Sequence, residues 1–160
     1  MNYHGMTSMI RTIEPYQIFN SRYPEEQWRE HNITTRYLCT TGNIITRNDV
    51  FLYGSRIINL PKFKYVAGKF CICNLKIESL YGCPLYVGGD VDCSLNYELT
   101  SAKYSPLYIG KNAIYSSTNI TNLEDINTEV RGDFIYTNRT GIPIQPPTLI
   151  VHGKFRRLTD

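Results

Sequence analysis

Five segments of one pattern recur through the chain at almost constant spacing. Val66, Gly68, Phe70 and Ile72 align with Val87, Gly89, Val91 and Cys93, and then with Ile109, Lys111, Ala113 and Tyr115. Val130, Gly132, Phe134 and Tyr136, followed by Val151, Gly153, Phe155 and Arg157, complete the set. The starts at 66, 87, 109, 130 and 151 give steps of 21, 22, 21 and 21 residues. A fixed period of this length marks a solenoid, in which one unit cannot bury its apolar side alone and stacking supplies the core. Within each unit alternate residues are mostly apolar, the period-two pattern of a half-buried strand. Each coil is therefore expected to give one short strand, paired in parallel with its neighbours about 4.8 Å away.

The fold class expected is mainly β: a short parallel β-solenoid of about six coils over residues 44–160, preceded by an N-terminal cap over residues 1–43. In the cap, Ser21 to His31 reads as one short helix, with Pro24 in the first turn and Glu25 and Glu26 where the helix dipole favours anions. Trp28 on that helix is expected to pack over the first coil, whose open end needs covering. Residues 44–64 form a degenerate first coil, in which Val50 and Leu52 match Phe70 and Ile72. After the strands come second apolar pairs, Ile77 with Leu80, Leu99 with Ala102 and Ile120 with Leu123, placed to line a return side. Corners follow at Gly82 to Pro84 and at Pro106, where proline fixes the turn.

These residues also carry a resemblance. Val91, Cys93, Asn96 and Leu99 are similar to the LxLxxNxL core of leucine-rich repeats, and the run from Ile77 through Leu80, Gly82 and Pro84 to Asp90 looks like the short leucine-rich-like repeats of phage and bacterial proteins. The resemblance covers residues 44–157 and implies a curved solenoid used for protein binding. It further implies a phage-encoded protein that engages and blocks a host enzyme or defence factor in the host cytoplasm. Two departures stand out. The asparagines fall at shifting offsets from the starts (Asn74, Asn96, Asn119, Asn138), against an unbroken asparagine ladder, and Lys111 takes a glycine position, which predicts a bulge or a snorkelling side chain.

Chemistry-bearing patterns are sparse. Cys71, Cys73, Cys83 and Cys93 lie close together but contain no CxxC, so a buried or surface filler role is expected and no metal or other cofactor. The three histidines, His4, His31 and His152, form no HxxxH pair. With no nucleophile elbow, phosphate loop or placed carboxylate pair, no catalytic residue is assigned and the chain is expected not to be an enzyme. Arg131, Gly132 and Asp133 spell an integrin-type tripeptide that is also the repeat's own step. A net charge of +3 falls short of a dedicated nucleic-acid binder. No apolar run reaches the roughly 20 residues of a membrane span, no signal peptide is evident, and five cysteines agree with a reducing cytoplasm.

The outward columns offer the candidate contact surface. Tyr65, Tyr86 and Tyr108 would stand above one another, either stacking as part of the structure or offered to a partner, and Ile114 with Ile135 have no evident core role. These five residues are the expected protein-binding site. Charged substitution of Tyr86 and Ile114 is expected to abolish capture. The column Lys69, Asp90, Asn112, Asp133 and Lys154 suggests pairing of opposite charges between coils. A homodimer through the open C-terminal coil is the other partner expected; a fibre component and a carbohydrate-binding solenoid are the alternative functions.

Overall fold

The computed structural model describes residues 11–12, 37–38, 44–54, 57–137 and 144–158. Two short strands, β1 (Arg11–Thr12) and β2 (Tyr37–Leu38), precede the coils. Six strand pairs follow: β3 (Ile44–Thr46) with β4 (Val50–Tyr53), β5 (Phe63–Val66) with β6 (Phe70–Cys73), and β7 (Tyr86–Val87) with β8 (Val91–Asp92). Next come β9 (Tyr108–Ile109) with β10 (Ala113–Tyr115), β11 (Thr128–Val130) with β12 (Phe134–Tyr136), and β13 (Leu149–Val151) with β14 (Phe155–Arg157). The odd-numbered strands from β3 to β13 form one parallel ladder and the even-numbered strands from β4 to β14 another. The protein is a mainly β parallel solenoid.

The seven-residue segment is not a single strand, as the alternation suggested. Val66 closes β5 and Phe70 opens β6, and the chain turns a corner at Gly68 and Lys69 between them. Each coil thus contributes two strands to two different sheets. The corner residues pack directly on the coil before: an added Cβ at Gly89 would lie 2.8 Å from the carbonyl carbon of Gly68, and one at Gly153 would lie 2.5 Å from Asp133 Oδ1. Only a residue without a side chain allows that approach. Lys111 breaks the column and is accommodated without a slip in register, since Val87 pairs with Ile109 and Val91 with Ala113. Its exposed side chain leaves the corner, and the local bonds lengthen instead: Lys111 N donates to Gly89 O at 3.2 Å, against 2.9 Å for Gly89 N to Gly68 O.

Inside, the columns are those of the repeat. Val66, Val87, Ile109 and Val130 are fully buried, as are Phe70, Val91, Ala113 and Phe134 in the second ladder. The return pairs Ile77 with Leu80, Leu99 with Ala102 and Ile120 with Leu123 close the third side. Tyr115, Phe134 and Phe155 stack through three coils, with centroids 5.1 and 5.5 Å apart. Tyr115 is buried with its hydroxyl satisfied, donating to Ser105 Oγ at 2.9 Å, while Ser105 donates to the carbonyl of Ala102. Burying a tyrosine requires such a partner.

Asn96 is the one asparagine drawn into the core among the described residues. It accepts from Leu75 N at 2.9 Å and donates to the carbonyls of Ile72 and Cys93 at 2.6 and 2.8 Å, clipping two coils together. Thr118 takes the equivalent place one coil on and makes only a 3.3 Å bond to Tyr115 O. The extra residue of the 22-residue coil falls beside this clip, where Leu99 N turns back to Asn96 O.

At the N-terminal end β2 pairs antiparallel with β3, and β1 antiparallel with β2. The helix expected at Ser21 to His31, with Trp28, lies outside the described residues. At the C-terminal end, β13 and β14 are the last strands of their sheets. Arg157, at an inward position of the repeat, is exposed there, so the regular core stops at Phe155.

Candidate partner-binding surface

The five residues expected to form the contact surface divide between two faces. Tyr65, Tyr86 and Tyr108 stand on the odd-numbered strands, whereas Ile114 and Ile135 stand on the even-numbered ones, beyond the glycine corner. Ile135 is only 8% exposed, lying in register between Ile114 and Arg156, and it offers little surface to a partner. The expectation that it has no packing role is corrected by that burial.

The tyrosines form a stacked ladder. Tyr65 and Tyr86 have ring centroids 4.9 Å apart at 6°, and Tyr86 and Tyr108 lie 4.9 Å apart at 2°. The rings repeat at the spacing of the strands that carry them. Tyr86 has both ring faces covered by its neighbours, so what the ladder presents outward is ring edges and hydroxyls. All three are half-buried.

Free apolar surface lies immediately beside this ladder. Leu85 and Leu107 precede Tyr86 and Tyr108 in the chain, and with Tyr81 and Tyr104 they wall a groove of about 430 Å³. Exposures are 53% for Tyr81, 52% for Leu85, 50% for Tyr104 and 46% for Leu107. The Tyr81 and Tyr104 rings meet edge to face at 5.4 Å, and Lys62 Nζ and Lys103 Nζ lie 5.4 and 5.3 Å from the centroids of Tyr81 and Tyr104. Phe63, Cys83 and Ser105, all buried, floor the groove. Such contiguous exposure of large apolar side chains, rimmed by charge, characterises interaction surfaces.

None of the four groove residues belongs to the recurring segment, which is why the repeat did not point to them. They sit in the corner before the first strand of each coil. Tyr104 adopts a left-handed backbone conformation, φ 69°, equivalent to Gly82 at φ 105° one coil earlier. A signal was present in the sequence: Leu85 and Leu107 stand directly before two of the ladder tyrosines.

Polar side chains at the corners hold neighbouring coils together. Asp49 accepts from Lys69 N at 2.8 Å, Asp90 from Asn112 N at 3.1 Å, Asn112 from Asp133 N at 2.9 Å, and Asp133 from Lys154 N at 2.9 Å. Lys69, without an acceptor to offer, places its ammonium 3.5 Å from Asp90. The pairing expected between Asp133 and Lys154 side chains is replaced by one with Arg156 Nε at 3.1 Å. Both oxygens of the tripeptide's aspartate are therefore occupied, and its Arg131 lies 3.6 Å from Glu129, which also bonds His152 at 2.9 Å.

The described cysteines are free thiols. Burial, with Asp92 adding to it, pushes Cys71 up to about 11 and Cys73 up to about 12; burial raises Cys83 and Cys93 as well. Thiols so shifted are poor nucleophiles at neutral pH. Among the described residues no three His, Cys, Asp or Glu side chains converge in a metal-holding group, and no helix is long and apolar enough to cross a membrane. Comparison with protein-family profiles, with characterised proteins and with solved structures finds no match to the chain.

Proposed function

We propose that this protein is a non-enzymatic binding module whose working surface is the groove and the tyrosine ladder beside it. The observation that carries the proposal is the coincidence of four half-exposed large apolar side chains, Tyr81, Leu85, Tyr104 and Leu107, with a rigid ladder of stacked tyrosines. A surface held by two parallel ladders loses little conformational freedom on binding, and tyrosine is enriched where binding energy concentrates. The finer reading, a leucine-rich-like phage module that blocks a host enzyme or defence factor by covering it, belongs to this proposal and is supported by the repeat pattern alone.

Leu85→Asp with Leu107→Asp tests it. Both side chains are exposed, so the fold, read by circular dichroism, is expected to persist while partner capture from host extract is lost. Undiminished capture by the double variant would falsify the assignment of this surface. For a sugar-binding role the edge-to-face packing of Tyr81 on Tyr104 is unfavourable, because the two rings do not form one flat platform. Pairing of two copies through the C-terminal coil sets Lys154, Arg156 and Arg157 of one copy against the same cations of the other, and light scattering at low and high salt tests it.

A further inference from the structure

We propose that the groove takes an extended peptide segment lying along the solenoid axis, apolar in its middle, acidic at one end and basic about four residues away. This rests on the binding-module reading and specifies its ligand. The groove runs across successive coils: Leu85 N donates to Lys64 O at 3.0 Å, Leu107 N to Leu85 O at 2.9 Å, and Glu129 N to Leu107 O at 2.9 Å. Its two ends differ in charge. Lys62 and Lys64 line it in the earliest coil and Asp125 in the latest, with apolar Leu85, Leu107 and the two tyrosines between. Neither Lys64 nor Asp125 enters an ion pair among the described residues.

The floor selects a peptide's apolar side chains. The backbone N–H groups of the floor residues Phe63, Cys83 and Ser105 already donate to Gly82 O, Leu80 O and Ala102 O, while the Ser105 hydroxyl donates to Ala102 O and accepts from Tyr115. Polar ligand groups therefore find few partners on the floor and are directed to the charged ends. The distance between those ends sets the length of the ligand. From the coil of Lys64 to that of Asp125 are three coil steps of about 4.8 Å, or roughly 14 Å, and an extended chain advances about 3.3 Å per residue. Four residues span it. A nucleic-acid strand would meet the Asp125 carboxylate at one end, and a uniformly acidic peptide would meet it too; the opposite ends call for a ligand of mixed charge.

The test is a selection from a display library of random 12-residue peptides on the immobilised full chain. The expected result is enrichment of sequences with Asp or Glu and Lys or Arg about four positions apart and large apolar residues between. A synthetic peptide of the leading sequence is expected to bind Lys62→Glu/Lys64→Glu at least about tenfold more weakly, the order that reversing a rim charge produces. Adding Asp125→Lys to that variant is expected to favour the charge-swapped peptide. Enriched peptides without the charge pattern, or equal binding to the lysine variant, overturn the ligand assignment. If such peptides still lose binding to Leu85→Asp/Leu107→Asp, the binding surface stands; enrichment indifferent to that variant, or no enrichment at all, overturns the surface as well.

Discussion

The side-chain oxygen of Asn112 accepts the backbone N–H of Asp133 at 2.9 Å across the gap between two coils. Three other coil corners are joined in the same way, through Asp49, Asp90 and Asp133. A carboxylate or amide at this position satisfies an N–H that the tight corner would otherwise leave without a backbone partner. At three of these four corners the residue before the donor is a glycine, Gly68, Gly132 or Gly153, which clears space for that oxygen; at the fourth it is Lys111, and the bond there is the longest of the four.

Gly132→Ala tests the corner most simply. The added Cβ would fall 2.4 Å from Asn112 Oδ1 and 2.8 Å from Lys111 O, so the oxygen must withdraw and its bond to Asp133 N is lost. Overpacking and a broken hydrogen bond together are expected to cost about 2 kcal/mol, read as a lower midpoint in urea denaturation.

Asn96→Ala removes a clip that no other described coil duplicates. Leu75 N and the carbonyls of Ile72 and Cys93 lose their partner in a site that is fully buried. The expected loss is about 3 kcal/mol, whereas Thr118→Val, which deletes one long bond, is expected to cost under about 1 kcal/mol. Equal effects in denaturation experiments would contradict the role given to Asn96.

Leu95 has φ 63°, in the left-handed region that a branched side chain occupies at a cost. The same place holds Gly54 at φ 109°, Asn74 at φ 55° and Ser117 at φ 54° in other coils. Leu95→Asn is therefore expected to stabilise the protein by about 1 kcal/mol, seen as a higher thermal midpoint. No gain would mean that the partly exposed leucine compensates through contacts.

Asp133 links acidity to the last coil. The Lys154 N–H bond, followed by the charge and bond of Arg156, holds its carboxyl below the usual value of 3.8. A carboxylate with a depressed native value contributes stability above the ordinary carboxylate range, and that contribution is lost as pH falls below it. Hydrogen exchange over residues 153–158 is expected to quicken between pH 5 and pH 3, after correction for intrinsic rates, more than in the inner coils. Asp133→Asn is expected to remove most of the difference.

The repeat columns were legible because stacking makes one position in the coil one environment. Val66, Val87, Ile109 and Val130 share a spacing and share complete burial. The corner was not legible, since alternation of inward and outward residues runs through Gly68 unchanged whether the chain bends or not. Alternation thus implies one face where there are two, and places Ile114 and Ile135 with tyrosines they do not adjoin. The groove escapes the repeat pattern for a related reason. Tyr81 and Tyr104 are 23 residues apart and hold different places in their coils, Tyr104 being equivalent to Gly82, so no column announces them. Their proximity depends on side-chain direction at a turn, which period alone does not specify.

Hydroxyl-radical footprinting of the chain, free and with its captured partner, tests the central claim most directly, because it reports side-chain cover residue by residue. The account predicts strong protection of Tyr81, Leu85, Tyr104 and Leu107, weaker protection at the edges of Tyr86 and Tyr108, and none at Ile114. Protection centred on Ile114 or on the C-terminal coil, with the groove residues as reactive as in the free protein, would contradict it.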